Sequence, residues 1–184
     1  MKTISKYILT GVLGWEIKGE FPEVKKSVVI FAPHTSYYDA LYGKLFLNGI
    51  GVKHKFLSKN ELFFFPMNLV MKWFGSIPVL GINNKNAIYQ VVELLNSSKE
   101  LHFVISPEGT REKVTHWNKG FFFMASKANV PVIVGYIDYK KKEIGVKGVL
   151  KNLESVNTTM QRISLMYKNV SAKYPENFSL ELMN

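Results

Sequence analysis

The chain has 184 residues, 47% of them apolar, no cysteine and a formal net charge of +10. That size and apolar fraction fit one domain with a real core. The lack of cysteine excludes disulfides and thiolate metal sites and suits a reducing compartment, and the charge favours an anionic partner: a phospholipid surface, nucleic acid or a phosphate-bearing substrate.

Residues 1–15 read as an amphipathic helix. Its apolar residues Ile4, Tyr7, Ile8, Leu9, Val12 and Leu13 can pack on the domain or lie on a membrane, with packing the default. It is too short and polar to span a bilayer, and no small-residue cleavage site follows it. Trp15 to Glu20 alternates as a short strand, which Pro22 breaks. Ser27 to Ala32 is a buried strand, Ala40 to Leu47 is helical and stops near Gly49 and Gly51, and Lys53 to Ser58 alternates as a strand. Phe63 to Phe74 is apolar nearly all round, but Pro66, Asn68 and Lys72 interrupt it, so it cannot span a membrane. Its aromatics and terminal Lys favour partial contact with a membrane or an acyl chain over a place in the core.

Gly75 to Val79 turns into a short strand. Asn84 to Asn96 has a helical period and Asn83 or Asn84 as a cap. Leu101 to Ile105 is a second buried strand, and Ser106 to Trp117 is irregular. Gly120 to Ala128 is helical, Val130 to Ile137 is a strand with Glu143 to Lys147 beside it, and Asn157 to Ala172 is a terminal helix. Residues 174–184 read as a loose tail. The alternation predicts a single α/β domain: a mixed, largely parallel sheet flanked by helices.

Two stretches carry chemistry. Pro33-His34-Thr35-Ser36-Tyr37-Tyr38-Asp39 follows the strand Val28 to Ala32, so His34 lies at the carboxyl edge of the sheet, where α/β proteins bind ligands. With four His and two Asp in the chain, an Asp five places after some His arises by chance with a probability of roughly 0.04. A neutral imidazole takes a proton from a hydroxyl near neutral pH, and a carboxylate on its other nitrogen fixes the tautomer and stabilises the cation that forms. The bland alternative is that Asp39 supports the first helical turn and His34 is an ordinary loop residue. The second stretch, Ser106-Pro107-Glu108-Gly109-Thr110-Arg111, leaves the strand Leu101 to Ile105 at the same kind of edge. Gly109 permits a tight turn or close approach to a ligand, Thr110 donates a hydrogen bond, Arg111 offers a fork suited to phosphate, and Glu108 can orient Arg111 or bind a hydroxyl. The alternative is a surface turn holding an ion pair.

Together, His-x4-Asp and a Glu-Gly-Thr-Arg block about seventy residues later resemble the glycerolipid acyltransferases, the group containing 1-acylglycerol-3-phosphate acyltransferases. The resemblance runs from about Val28 to Tyr136. It includes Lys59 with Glu61-Leu62, Gly75 with Ile77-Pro78, and the late strand Val130-Pro131-Val132-Ile133. It implies a glycerol-3-phosphate acyltransferase-like fold spanning residues 1–184, with the motif-bearing core at 28–136. It implies that His34 deprotonates the hydroxyl of a lyso-lipid acceptor, that Asp39 orients His34, and that Glu108, Gly109, Thr110 and Arg111 hold the acceptor's phosphate. The oxygen then attacks a thioester on acyl-CoA or acyl carrier protein, with no metal, no other cofactor and no covalent acyl-enzyme. The chain departs from the family where a basic pair often follows the short strand: Gly75 to Lys85 contains no arginine, and Lys85 is the substitute as a point charge. An acceptor with another head group, such as an amino acid, is therefore the alternative.

The implied setting is cytoplasmic and peripheral, on the anionic inner face of the membrane, without the spanning start of some relatives. His54, His102 and His116 form no metal-like pair and are taken as structural. Lys140-Lys141-Lys142 reads as a solvated turn that can also hold anionic lipid. A basic nucleic-acid-binding domain is the competing class. It is disfavoured because Phe63-Phe64-Phe65 and Phe121-Phe122-Phe123 sit in apolar runs rather than interleaving with Lys and Arg, so no nucleic acid partner is expected. A non-catalytic lipid-binding relative is a third class, disfavoured by the presence of both His34 and Asp39.

Overall fold

Strand β2 (Lys26–Ala32) has the residues of a strand buried on both faces: Val28, Val29 and Ile30 are β-branched or fully apolar, and all three are inaccessible to solvent. Around it a computed structural model, which describes residues 2–79 and 85–180, builds one seven-stranded sheet in the order β1-β7-β6-β2-β5-β3-β4. The other strands are β1 (Glu16–Lys18), β3 (His54–Lys59), β4 (Ser76–Val79), β5 (Leu101–Ile105), β6 (Val132–Asp138) and β7 (Glu143–Leu150). Neighbours are parallel except for the antiparallel pair β6 and β7, which matches the single α/β domain and largely parallel sheet read from the sequence.

The described residues also form six α-helices: α1 (Lys2–Tyr7), α2 (Tyr37–Ile50), α3 (Met67–Phe74), α4 (Lys85–Ser97), α5 (Gly120–Ala128) and α6 (Val156–Tyr167). Side chains alternate across β2. Val28, Ile30 and Ala32 face a core shared with Val91 and Leu95 of α4, Phe121 and Met124 of α5, and Ile163 and Tyr167 of α6. Val29 faces the other core, with Phe46 and Leu47 of α2, Leu9 and Trp15. The register sets the site: Ile30 lies opposite Ile105 on one side, and Ala32 lies opposite Tyr136 on the other. The segments leaving β2, β5 and β6 therefore emerge side by side at one carboxyl edge.

Several expectations change at their boundaries. Helix α2 begins at Tyr37 rather than Ala40, because Ser36 and Asp39 form a reciprocal capping box; it stops at Gly51, whose φ of 84° is open to glycine. The apolar segment after Glu61 is helical only over Met67–Phe74, and none of that helix is buried. Phe64, Phe65, Leu69, Val70 and Trp73 are exposed, so the core reading of this segment fails. Helix α6 ends at Tyr167, well short of Ala172. The caps proposed at Asn83 and Asn84 lie outside the described residues.

The N-terminal helix continues past α1 as a π-helical turn, Ile8–Val12. It packs on α2 through Ser5 and Leu9, and Gly49 admits the Lys6 backbone where a Cβ would come within 3.2 Å. Its other face, with Ile4, Tyr7 and Val12, stays open.

The tail is not loose as far as it is described. The Trp117 indole donates to the Ser179 carbonyl at 3.0 Å, the Ser179 hydroxyl donates to the Val114 carbonyl, and Phe178 and Leu180 pack on the core. Its anchors are main-chain carbonyls and scattered apolar contacts, which leave no periodic signal in the sequence.

Candidate active site

Pro33 closes the β2 ladder because it has no N–H to give, and the chain turns back at once. The turn is closed by Asp39, whose Oδ2 accepts the N–H of Thr35 at 2.8 Å and of Ser36 at 2.7 Å. These charge-assisted bonds sit at the positive end of α2, so the carboxylate is fixed by its own helix terminus. The same oxygen lies 3.4 Å from Nδ1 of His34, while the Asp39 side chain is 5% exposed and the imidazole 21%. The bonds that cap α2 also leave the carboxylate facing the His34 ring. Its other oxygen, Oδ1, accepts the hydroxyl of Tyr139, the residue after β6.

From β5 comes Glu108, which is buried. Its Oε2 accepts the His34 N–H at 2.8 Å and the Ser106 hydroxyl at 3.1 Å. Its Oε1 is buried with no hydrogen-bond partner. Burial pushes the Glu108 carboxyl up to about 8; the Ser106 and His34 bonds oppose the rise and the nearby Asp39 charge adds to it. Burial thus favours the neutral acid at neutral pH. Glu108 supports the main chain of His34 rather than orienting Arg111.

The rest of the block turns outward. Gly109 has a φ of 70°, and the Asn118 side chain occupies the place a Cβ would take. Thr110 accepts the Glu112 N–H at 3.4 Å. The Arg111 guanidinium lies 3.8 Å from the ring centre of Tyr37, the first residue of α2, which keeps Arg111 at the same edge as His34. A ring face holds the cation without using its N–H donors. Lys85 opens α4, but its side chain lies outside the described residues.

Sequence reasoning missed three further residues here. Besides Tyr139, the Tyr174 N–H donates to Thr35 Oγ1 at 3.2 Å, and Lys173 places its ammonium 3.7 Å from the Tyr38 ring centre. All three come from segments remote in sequence, and only the register and the docked tail bring them to the edge. His54 and His102 sit at the other end of the sheet, paired across β3 and β5. His54 Nδ1 meets the Val52 carbonyl and His102 Nδ1 the Ser27 hydroxyl, each at 2.8 Å. Burial drives His54 down to about 4 and lowers His102 as well, which fits structural roles. Among the described residues no group of three or more His, Asp and Glu is arranged to hold a metal ion.

Glu108 gives stability a pH dependence. Its folded-state value lies above its ordinary 4.5, so its contribution is fully present below about 4.5 and is lost as pH rises toward 8. Glu108→Gln is expected to flatten the fall in unfolding free energy between these limits, read by urea denaturation at a series of pH values. A slope equal to that of the unmodified protein would contradict the assignment.

A family model described as Acyltransferase matches residues 15–137, a span that contains His34, Asp39 and the block from Glu108 to Arg111. No curated protein matches the chain. Among solved structures, the crystal structure of the 1-acyl-sn-glycerophosphate (LPA) acyltransferase PlsC from Thermotoga maritima is similar, with a TM-score of 0.64 and 19% identity over 93% of this chain and 80% of that one. That likeness establishes the fold. With most of its length matched by the family model, the chain belongs to the acyltransferase family.

Proposed function

We propose that the protein moves a fatty acyl group from acyl-CoA or acyl carrier protein onto the free hydroxyl of a lyso-glycerolipid, with 1-acylglycerol-3-phosphate, giving phosphatidic acid, as the preferred acceptor. The observation that carries this reading is the His34–Asp39 pair, fixed by the capping bonds of α2 beside the buried Glu108. With Nδ1 turned to Asp39, Nε2 takes the proton of the acceptor hydroxyl. The freed oxygen attacks the thioester carbonyl, the tetrahedral intermediate collapses, and the thiolate leaves with the proton returned by His34. The acyl group passes directly to the acceptor, so no covalent acyl-enzyme forms.

Arg111 presents its guanidinium to the acceptor's phosphate from the face of Tyr37. A neutral Glu108 does not repel that phosphate, whereas an ionised one at the same place would. The missing arginine after Gly75 is the ground for the alternative acceptor class, lyso-lipids with another head group, and a panel of acceptors separates the two.

The acceptor's chain sits in a bilayer, so the enzyme must work at a membrane. Among the described residues no helix is long and apolar enough to cross one. The exposed side chains Phe64, Phe65, Leu69 and Trp73 suit an interfacial position, and Leu69 and Trp73 share helix α3 with Lys72. Helix α3 is tied to the domain at its end, where the buried Lys44 donates to the Phe74 carbonyl at 2.8 Å. We place this surface, with the net charge of +10 behind it, against an anionic leaflet on its cytoplasmic side.

Purified protein offered acyl-CoA and acyl carrier protein donors with the acceptor panel is expected to acylate 1-acylglycerol-3-phosphate fastest. His34→Ala is expected to lower kcat by a factor of about a hundred or more while the melting temperature holds. A folded His34→Ala protein with the original rate would refute the mechanism. Phe65→Ser with Trp73→Ser is expected to weaken flotation with phosphatidylglycerol vesicles and raise KM for bilayer acceptor, leaving kcat on a water-soluble short-chain acceptor unchanged. Undiminished vesicle binding would show that another surface meets the lipid.

A further inference from the structure

We infer that Tyr139 is a positioning residue for the base, whose hydroxyl holds the second oxygen of Asp39 so that the carboxylate keeps its aim at His34. Tyr139 lies two residues beyond the end of the family match and in none of the sequence blocks described above.

The argument starts from the needs of a buried carboxylate. Asp39 Oδ2 is occupied by the Thr35 and Ser36 N–H groups and by the facing His34 ring. Oδ1 is left, in a side chain that is 5% exposed. Among the described residues the Tyr139 hydroxyl is its one hydrogen-bond donor. A charged oxygen buried without a donor is costly, and the carboxylate would rotate to share Oδ2's donors. With both oxygens engaged the carboxylate plane is fixed, and the Asp39–His34 geometry is fixed with it.

Tyr139 is built to deliver this bond. Its N–H donates to the Ser171 carbonyl at 2.9 Å. The edge of its ring meets Trp15 with centres 5.1 Å apart at 85°. The turn after it is tied down by Asp138, whose Oδ1 accepts the Lys140 and Lys141 N–H groups, each at 3.1 Å. Burial, then the bond to Asp39, drives the phenol far above its ordinary range, so it stays a donor throughout the working pH range.

The titratable groups around the pair come from every neighbouring element. They are His34 before α2, Tyr42 on α2, Glu108 after β5, and Tyr174 on the tail. Tyr42 lies against Tyr139, with ring centres 6.2 Å apart, but makes no hydrogen bond to Asp39 and so serves as the control.

The test is Tyr139→Phe, which keeps the ring and its packing. Removing the donor leaves more negative charge on Asp39 toward His34, which favours the imidazolium. The expected result is a kcat about tenfold lower, KM for both substrates within about twofold, and an acid limb of the pH profile moved up by about half a unit or more. Tyr42→Phe should leave all three unchanged.

The kinetic readout rests on the acyl-transfer reading. Nitrogen-15 NMR of the histidine rings does not: the His34 titration midpoint should move upward in Tyr139→Phe whether or not turnover is seen. Absence of turnover in the unmodified protein, with that shift present, would count against the acyl-transfer reading and for this one. Should Tyr139→Phe fail to fold, 3-fluorotyrosine placed at position 139, a stronger donor, should move the midpoint downward. A folded Tyr139→Phe protein with unchanged kcat and midpoint, or a fluorotyrosine protein with an unmoved midpoint, would overturn the assignment.

Discussion

The site depends on one carboxylate. Asp39 receives two backbone N–H groups and a phenol, and it faces the His34 imidazole from a position closed to solvent. Each of these contacts does two things. The backbone bonds start helix α2 and fix the carboxylate, and the carboxylate in turn faces Nδ1 of the imidazole. The proton transfer we propose for His34 needs little reorganisation, because the carboxylate that would stabilise the imidazolium is already in place.

The sheet makes that arrangement possible. Strands β2, β5 and β6 are adjacent and in register, so the loops that leave them carry His34, Glu108 and Tyr139 to one edge. Glu108 then ties two of those loops together through the His34 main chain. Burial keeps its carboxyl mostly neutral, so the bond is made without adding a second negative charge beside Asp39.

What was legible in the sequence followed from strong local signals. The runs Val28 to Ala32 and Leu101 to Ile105 admit little but buried strands, and the five-residue spacing from His34 to Asp39 bridges a turn and a helix start. The reciprocal cap between Ser36 and Asp39 is equally local, and it starts α2 three residues ahead of the first apolar residue of the helical run, Ala40. The fate of Phe63 to Phe74 depended on whether other elements had room to cover it, which hydrophobicity alone does not encode. Glu108's real partner is a backbone N–H 74 positions away, and Tyr139 is 100 positions from Asp39, so both required the sheet register. The tail's anchors are backbone carbonyls, which every residue possesses.

The central claim is that Asp39 holds His34 in the tautomer that leaves Nε2 free to accept a proton. Asp39→Asn tests it most directly, since the amide keeps the size of the side chain and an oxygen for the capping N–H groups of Thr35 and Ser36 while removing the negative charge that faces Nδ1. The account predicts a folded protein whose kcat for acyl transfer is lower by a factor of about a hundred or more, with KM for the acceptor nearly unchanged. A folded Asp39→Asn protein with the original kcat would contradict it.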